Sequence, residues 1–220
     1  MSRERTLLLR LATGLSGCAG MLTAANGFAG TIISEVLYDA AGADSGSVFV
    51  ELYGTPGTLL DGHLLEGVNG TDGSVYRAVP LAGSIPPGGV FVIADDGGGG
   101  STLVDNADLV ADVDFQNGPD SIVLRNGALV LDAVGYGDFT SAVFAGEGAA
   151  AVAAPAGSSI ARFNPLLDSD NNLADFMVMD LPTPGAVPVS AVPVPAPLGL
   201  LLSGLAGLGV VARRKGNICT

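Results

Sequence analysis

Ser121 to Leu131 reads Ser-Ile-Val-Leu-Arg-Asn-Gly-Ala-Leu-Val-Leu, two strand-forming runs on either side of Asn126-Gly127. Asn and Gly tolerate the positive φ that a type I′ turn requires, so the stretch predicts a tight β-hairpin. That hairpin belongs to a longer texture. From Thr31 onward, short apolar and β-branched runs alternate with Gly, Asp, Asn and Pro at spacings of roughly ten to fifteen residues, the pattern of an all-β sandwich or barrel. Strands are predicted at 31–38, 47–53, 63–68, 74–79, 89–94, 109–114, 120–125 and 128–136. No helical periodicity competes with them. The Ala-rich stretch Ala149 to Pro155 reads equally as a short helix or as a loop draped over the sheets.

Charge narrows the partners. Of 22 acidic residues all but Glu4 lie between Thr31 and Pro197, against Arg77, Arg125 and Arg162, with no Lys in that span. Such a surface repels phosphate backbones, which argues against nucleic acid and makes divalent cations the natural counter-charge. Cys18 and Cys219 both fall outside the body, so its fold cannot rest on an internal disulfide.

The two ends have their own chemistry. Residues 1–29 read as a secretory signal: Arg3, Arg5 and Arg10 form a basic start, Leu11 to Ala25 an apolar region, and Gly27-Phe28-Ala29 a small-x-small cleavage site. Leu15-Ser16-Gly17-Cys18 also reads as a lipobox, which would make Cys18 a lipidated N-terminus. After the body at 30–186, prolines recur through a linker at 187–197 that favours an extended conformation. An uncharged run at 198–212 follows, and then Arg213-Arg214-Lys215 within a basic tail at 213–220. Counted from Val192 the apolar run is long enough to cross a bilayer as a single transmembrane helix, with the basic cluster as its cytoplasmic stop. Gly199, Ser203 and Gly207 fall four apart on one face of that helix, a small-residue stripe that permits close helix contact.

Val192-Pro193-Val194-Pro195, the short Leu/Gly/Ala span and the terminal basic cluster together resemble the PEP-CTERM sorting signal. Val194 stands where the commonest form of that signal carries Glu. The resemblance implies processing by an exosortase near Val192 to Ala196, and delivery to the cell surface or to the extracellular, biofilm-associated matrix. An ordinary tail anchor is the plainer alternative.

The body resembles the lamin tail domain. The resemblance is carried by Ile33-Ser34-Glu35-Val36, Phe49-Val50-Glu51-Leu52-Tyr53, Leu60 to Leu65, Gly89 to Ile93, Asp120 to Leu124 and Leu131 to Gly137. It continues through Ser159-Ile160-Ala161-Arg162-Phe163, Asp168 to Phe176 and Pro182-Thr183-Pro184-Gly185. It implies an immunoglobulin-like antiparallel sandwich. His63 stands where that family usually has Trp.

Chemistry-bearing constellations are sparse. His63, the single histidine, sits among apolar residues on a predicted strand and reads as structural. Glu35 and Glu51 are two carboxylates on neighbouring strands, formally an acid and base pair, yet their places in the opening motifs favour structure. Gly97 to Gly100 precedes Ser-Thr rather than Gly-Lys-Ser and is a turn, not a phosphate loop. Asn69-Gly70-Thr71 matches a glycosylation sequon but reads better as a turn. Asp168, Asp170, Asn172 and Asp175 follow D-x-D-x-N-x-x-D, alternate oxygen ligands of the kind calcium collects. Leu173 stands where a helix-flanked calcium loop needs Gly. Asp105, Asp108, Asp112 and Asp114 form a looser second group. The sequence therefore predicts a non-enzymatic exported protein. A permanently anchored calcium-dependent module that binds extracellular polysaccharide or surface proteins is the alternative.

Overall fold

The computed structural model describes residues 30–140 and 143–186. Ten strands and one helical turn follow in chain order: β1 (Thr31–Leu37), β2 (Phe49–Gly54), β3 (His63–Asn69), β4 (Val75–Pro80), β5 (Val90–Asp95), β6 (Leu109–Ala111), β7 (Asp120–Asn126), β8 (Leu129–Tyr136), β9 (Ser159–Arg162), α1 (Asn172–Asp175) and β10 (Phe176–Met179). They form a six-stranded sheet of order β10-β9-β1-β2-β5-β6 and a four-stranded sheet of order β4-β3-β7-β8. The fold is thus an all-β sandwich, and all eight predicted strands are present. Every strand pair is antiparallel except β5 with β6, which run parallel. The expected continuation of β6 to residue 114 is absent; past Ala111 the chain turns on itself, with Val113 N donating to Ala111 O and to Asp95 Oδ1.

Strand alternation explains why the sheets close on each other. Ile33, Val50, Leu52, Phe91 and Ile93 from one sheet meet Leu65, Ile122, Leu124 and Val134 from the other in one core. Each such side chain contributes about 1.5–3 kcal/mol when withdrawn from water. Two tyrosines replace some of the missing aromatic bulk. Tyr38 and Tyr136 stack with centroids 4.1 Å apart and ring planes 8° from parallel. The Tyr38 hydroxyl accepts from Ala154 N at 2.6 Å and donates to Ala154 O at 3.2 Å, pinning the Ala-rich stretch. That stretch is a loop carrying one isolated bridge, Ala151 with Tyr136.

The hairpin is where predicted, with a different turn. Asn126 pairs with Leu129, so the two loop residues are Gly127 and Ala128, and of these only Gly127 has positive φ. That is the type II′ pattern rather than type I′. The slip comes from an irregularity between Leu124 and Arg125, which pair with Asp132 and Val130 respectively and leave Leu131 over.

The outer face of the six-stranded sheet is partly covered by the end of the described chain. After β10, residues 180–186 run back across β1 and β2 as a strap. Among the described residues no helix is long and apolar enough to cross a membrane. The predicted signal at 1–29, the linker with Val192, Pro193, Val194 and Pro195, the span at 198–212 and Arg213, Arg214 and Lys215 lie outside the described residues.

Candidate functional site

Arg162 is the last residue of β9, and its side chain has no solvent exposure. A buried guanidinium is tolerable only when its donors are met by acceptors and its charge by opposite charge. The surrounding elements supply both. Nη2 donates to Asp132 Oδ1 on β8 at 2.7 Å, and Nη1 donates to Asp168 Oδ1 at 3.1 Å and to Asp175 Oδ2 at 3.0 Å. Nε donates to Ile33 O at 2.9 Å, Glu147 Oε2 stands 4.0 Å from Nη2, and the Phe176 ring lies 4.7 Å from Cζ. Asp132 Oδ2 in turn accepts from Ile33 N at 2.6 Å.

The local reason is the end of β9. β1 pairs with β9 only at Glu35 and Val36, so Ile33 has no strand partner on that side. Its N–H and C=O are taken instead by the Asp132 carboxylate and the Arg162 guanidinium, side chains standing in for a missing stretch of ladder.

The acidic motif folds around this arginine. Asp168 and Asp175 converge on it, and Asp175 also accepts from Ser169 N and Oγ at 2.9 and 2.7 Å. Asn172 is buried and makes three side-chain hydrogen bonds: Oδ1 accepts from Gly135 N and Glu147 N, each at 2.9 Å, while Nδ2 donates to Ala133 O at 2.8 Å. Asp170 points elsewhere in a left-handed turn, φ 53°, and is exposed. Of the four residues predicted as calcium ligands, two meet at one point. A different trio comes together: Asp132, Glu147 and Asp168 each offer a carboxylate oxygen, all within 4.8 Å of one another. These are the residues that could share a cation, and the guanidinium of Arg162 already lies among them.

Proton affinities follow from the crowding. Burial pushes Asp132 up, against the downward pull of Arg162. Burial and the charges of Asp132 and Asp168 push Glu147 up as well. For Asp175 the burial effect is outweighed by the Ser169 hydrogen bonds and Arg162, which hold it below the usual carboxylate range.

The other predicted groups sit apart. Asp108 accepts from Val92 N at 2.9 Å and Asp112 pairs with Arg77, while Asp114 is raised by burial and then by Asp95 and Asp44. His63 is buried at the start of β3, opposite Asn126. Gly98, Gly100 and Ser101 direct their amides at Asp96 Oδ1, so the glycine loop closes on its own carboxylate. Glu35 and Glu51 face each other across β1 and β2, both fully buried.

Arg162, Asp132 and Glu147 were not among the predicted site residues. A lone Arg inside Ser-Ile-Ala-Arg-Phe and a lone Asp inside Leu-Asp-Ala-Val are the sequence signals that mark them. Comparison with family models, with curated proteins and with solved structures returned no match to this chain.

Proposed function

We propose that this chain is an exported, non-enzymatic cell-envelope protein, a lamin-tail-like domain of immunoglobulin type delivered through a PEP-CTERM signal and released to the cell surface or extracellular matrix by an exosortase. One observation carries the reading. The described chain ends pinned to the sandwich at Gly185, and only residues 187–191 separate Ala186 from the Val192-Pro193-Val194-Pro195 motif. Extended residues reach about 3.3 Å each, so the folded body would stand within roughly 20 Å of the segment to be cut. The ten-strand, two-sheet architecture and the order of the quoted motifs support the family likeness; the parallel β5–β6 pair and His63 depart from it.

The body's surface limits what it can hold. Arg77, Arg125 and Arg162 are each paired with a carboxylate, so among the described residues every cation is already met by an anion. A polysaccharide partner is therefore neutral, or is bridged by divalent ions. Mass spectrometry of the mature C-terminus in exosortase-bearing cells tests the reading. A terminus between Val192 and Ala196 is expected; an intact tail through Thr220 overturns it.

The second reading is an anchored calcium-dependent adhesion module. The convergence of Asp132, Glu147 and Asp168 is what favours it.

A further inference from the structure

β4 and β6 are the outer strands of their sheets on the same side of the sandwich, and a cleft of about 310 Å³ runs between them, lined by Arg77 to Pro80 and Leu109 to Asp112. On the opposite side the free edge of β8 is taken by Ala151, which bridges Tyr136. Among the described residues nothing does the same for β6. Its residues are only half-buried, and two of them, Leu109 and Ala111, pack against the main core, so the core shows through at this cleft. An edge that leaves backbone groups unpaired beside apolar surface invites another strand. Ala111 O accepts from Asp96 N on the β5 side, so by alternation the N–H and C=O of Val110 point to the open edge. Arg77 spans the far end of the cleft to Asp112, and its buried Nε has no acceptor among the described residues.

What lies nearest is the chain itself. Asn106, in the turn before β6, donates from Nδ2 to Pro184 O at 3.0 Å, so the strap delivers Ala186, the last described residue, to the start of β6. The next residues, Val187-Pro188-Val189-Ser190-Ala191, carry no charge, as a cleft flanked by Asp108 and Asp112 favours in its occupant. Extended at about 3.3 Å per residue, they outrun β6. Tethered at its mouth, they also meet the cleft at a higher effective concentration than any free partner. We propose that residues 187–191 dock in this cleft as an added edge strand parallel to β6.

Alternation fits that occupant residue by residue. When the odd-numbered residues turn their N–H and C=O to Val110, their side chains share the face of Leu109 and Ala111. Val187, Val189 and Ala191 then cover the open core, while Pro188 and Ser190 face outward. Pro188 has its missing N–H on the solvent side, which is where an edge strand tolerates proline. Pro193 and Pro195 are odd-numbered and would face β6 without a donor, so the pairing ends before the Val192 to Pro195 motif. The passing backbone brings carbonyls to the cleft end where Arg77 Nε lacks one. A cut between Val192 and Ala196 leaves the docked residues on the body, so the inference stands whether or not the tail is processed.

Amide hydrogen exchange read by NMR on the full chain in detergent micelles tests this. The Val110 amide should be protected at least about tenfold over its intrinsic rate. Val189→Asp, which sets a charge against the core beside Asp112, should return Val110 to near its intrinsic rate while β3 and β7 stay protected. Ser190→Asp, on the outward face, should leave Val110 protected. Overturning results are an unprotected Val110 in the wild type, protection that survives Val189→Asp, a loss shared by β3 and β7, or an equal loss in Ser190→Asp. Protection that falls on dilution would show a second copy covering β6 and would overturn the proposal as well.

Discussion

Arg162 Nη2 and Asp132 Oδ1 lie 2.7 Å apart with neither side chain exposed, joining β9 of the six-stranded sheet to β8 at an edge of the four-stranded one. The pair does two jobs at once. It neutralises charge and supplies the backbone of Ile33 with partners. Removing the cation should therefore cost more than a surface bridge. Arg162→Met leaves Asp132, Asp168 and Asp175 buried or half-buried without their counter-charge, and a loss of about 3–5 kcal/mol is expected by urea denaturation. In a cycle with Asp132→Asn the double variant should lose less than the two singles together.

Stability should also depend on pH in a way these acids dictate. Asp132 and Glu147 are raised, so they favour the fold at lower pH and cease to do so as pH climbs through their raised range. Asp175 is lowered and acts oppositely, its contribution present above the usual carboxylate range and lost in acid. Urea midpoints should therefore peak on the acid side of neutrality. Glu147→Gln should flatten the alkaline decline and gain about 1 kcal/mol at pH 8.

Tyr38→Phe probes the anchoring of the loop rather than the core. The ring stack with Tyr136 survives, but Ala154 N–H, now buried without its acceptor, should cost about 1–3 kcal/mol. Limited proteolysis should place the first new cut in the 149–156 stretch; unchanged stability would show that water replaces the hydroxyl.

Calcium is a direct test between the two functional readings. On the anchored-module reading, millimolar calcium raises the melting temperature of the folded protein, and Asp168→Asn removes the rise. No shift leaves the Arg162 guanidinium as the charge those acids are built around.

Much of this was legible in the residues, for a physical reason. β1, β2, β5 and β7 are buried on both faces for most of their length and announce themselves as short, mostly apolar runs bounded by turn residues. β9 and β10 are only four residues each, too short to show a period, and they enter the sheet because β1 offers an open edge. The turn at Gly127 depended on a one-residue slip near Leu131 that no local propensity encodes. The acidic motif shows the same limit. Its oxygens were visible, but whether oxygens gather round a metal or an arginine depends on what lies 129 residues earlier at Ile33 and 30 residues earlier at Asp132.

β1 is the first strand of the body, yet it occupies the middle of the larger sheet and takes β9 as one neighbour. Its Glu35 finally meets Thr183, 148 residues downstream. A chain emerging from its N-terminus can therefore build partial sheets but cannot finish the central one until nearly all of the body has emerged. Such distant closure makes for slow folding. If the chain is exported unfolded, as proposed, that delay leaves the larger sheet open until β9 and β10 have emerged.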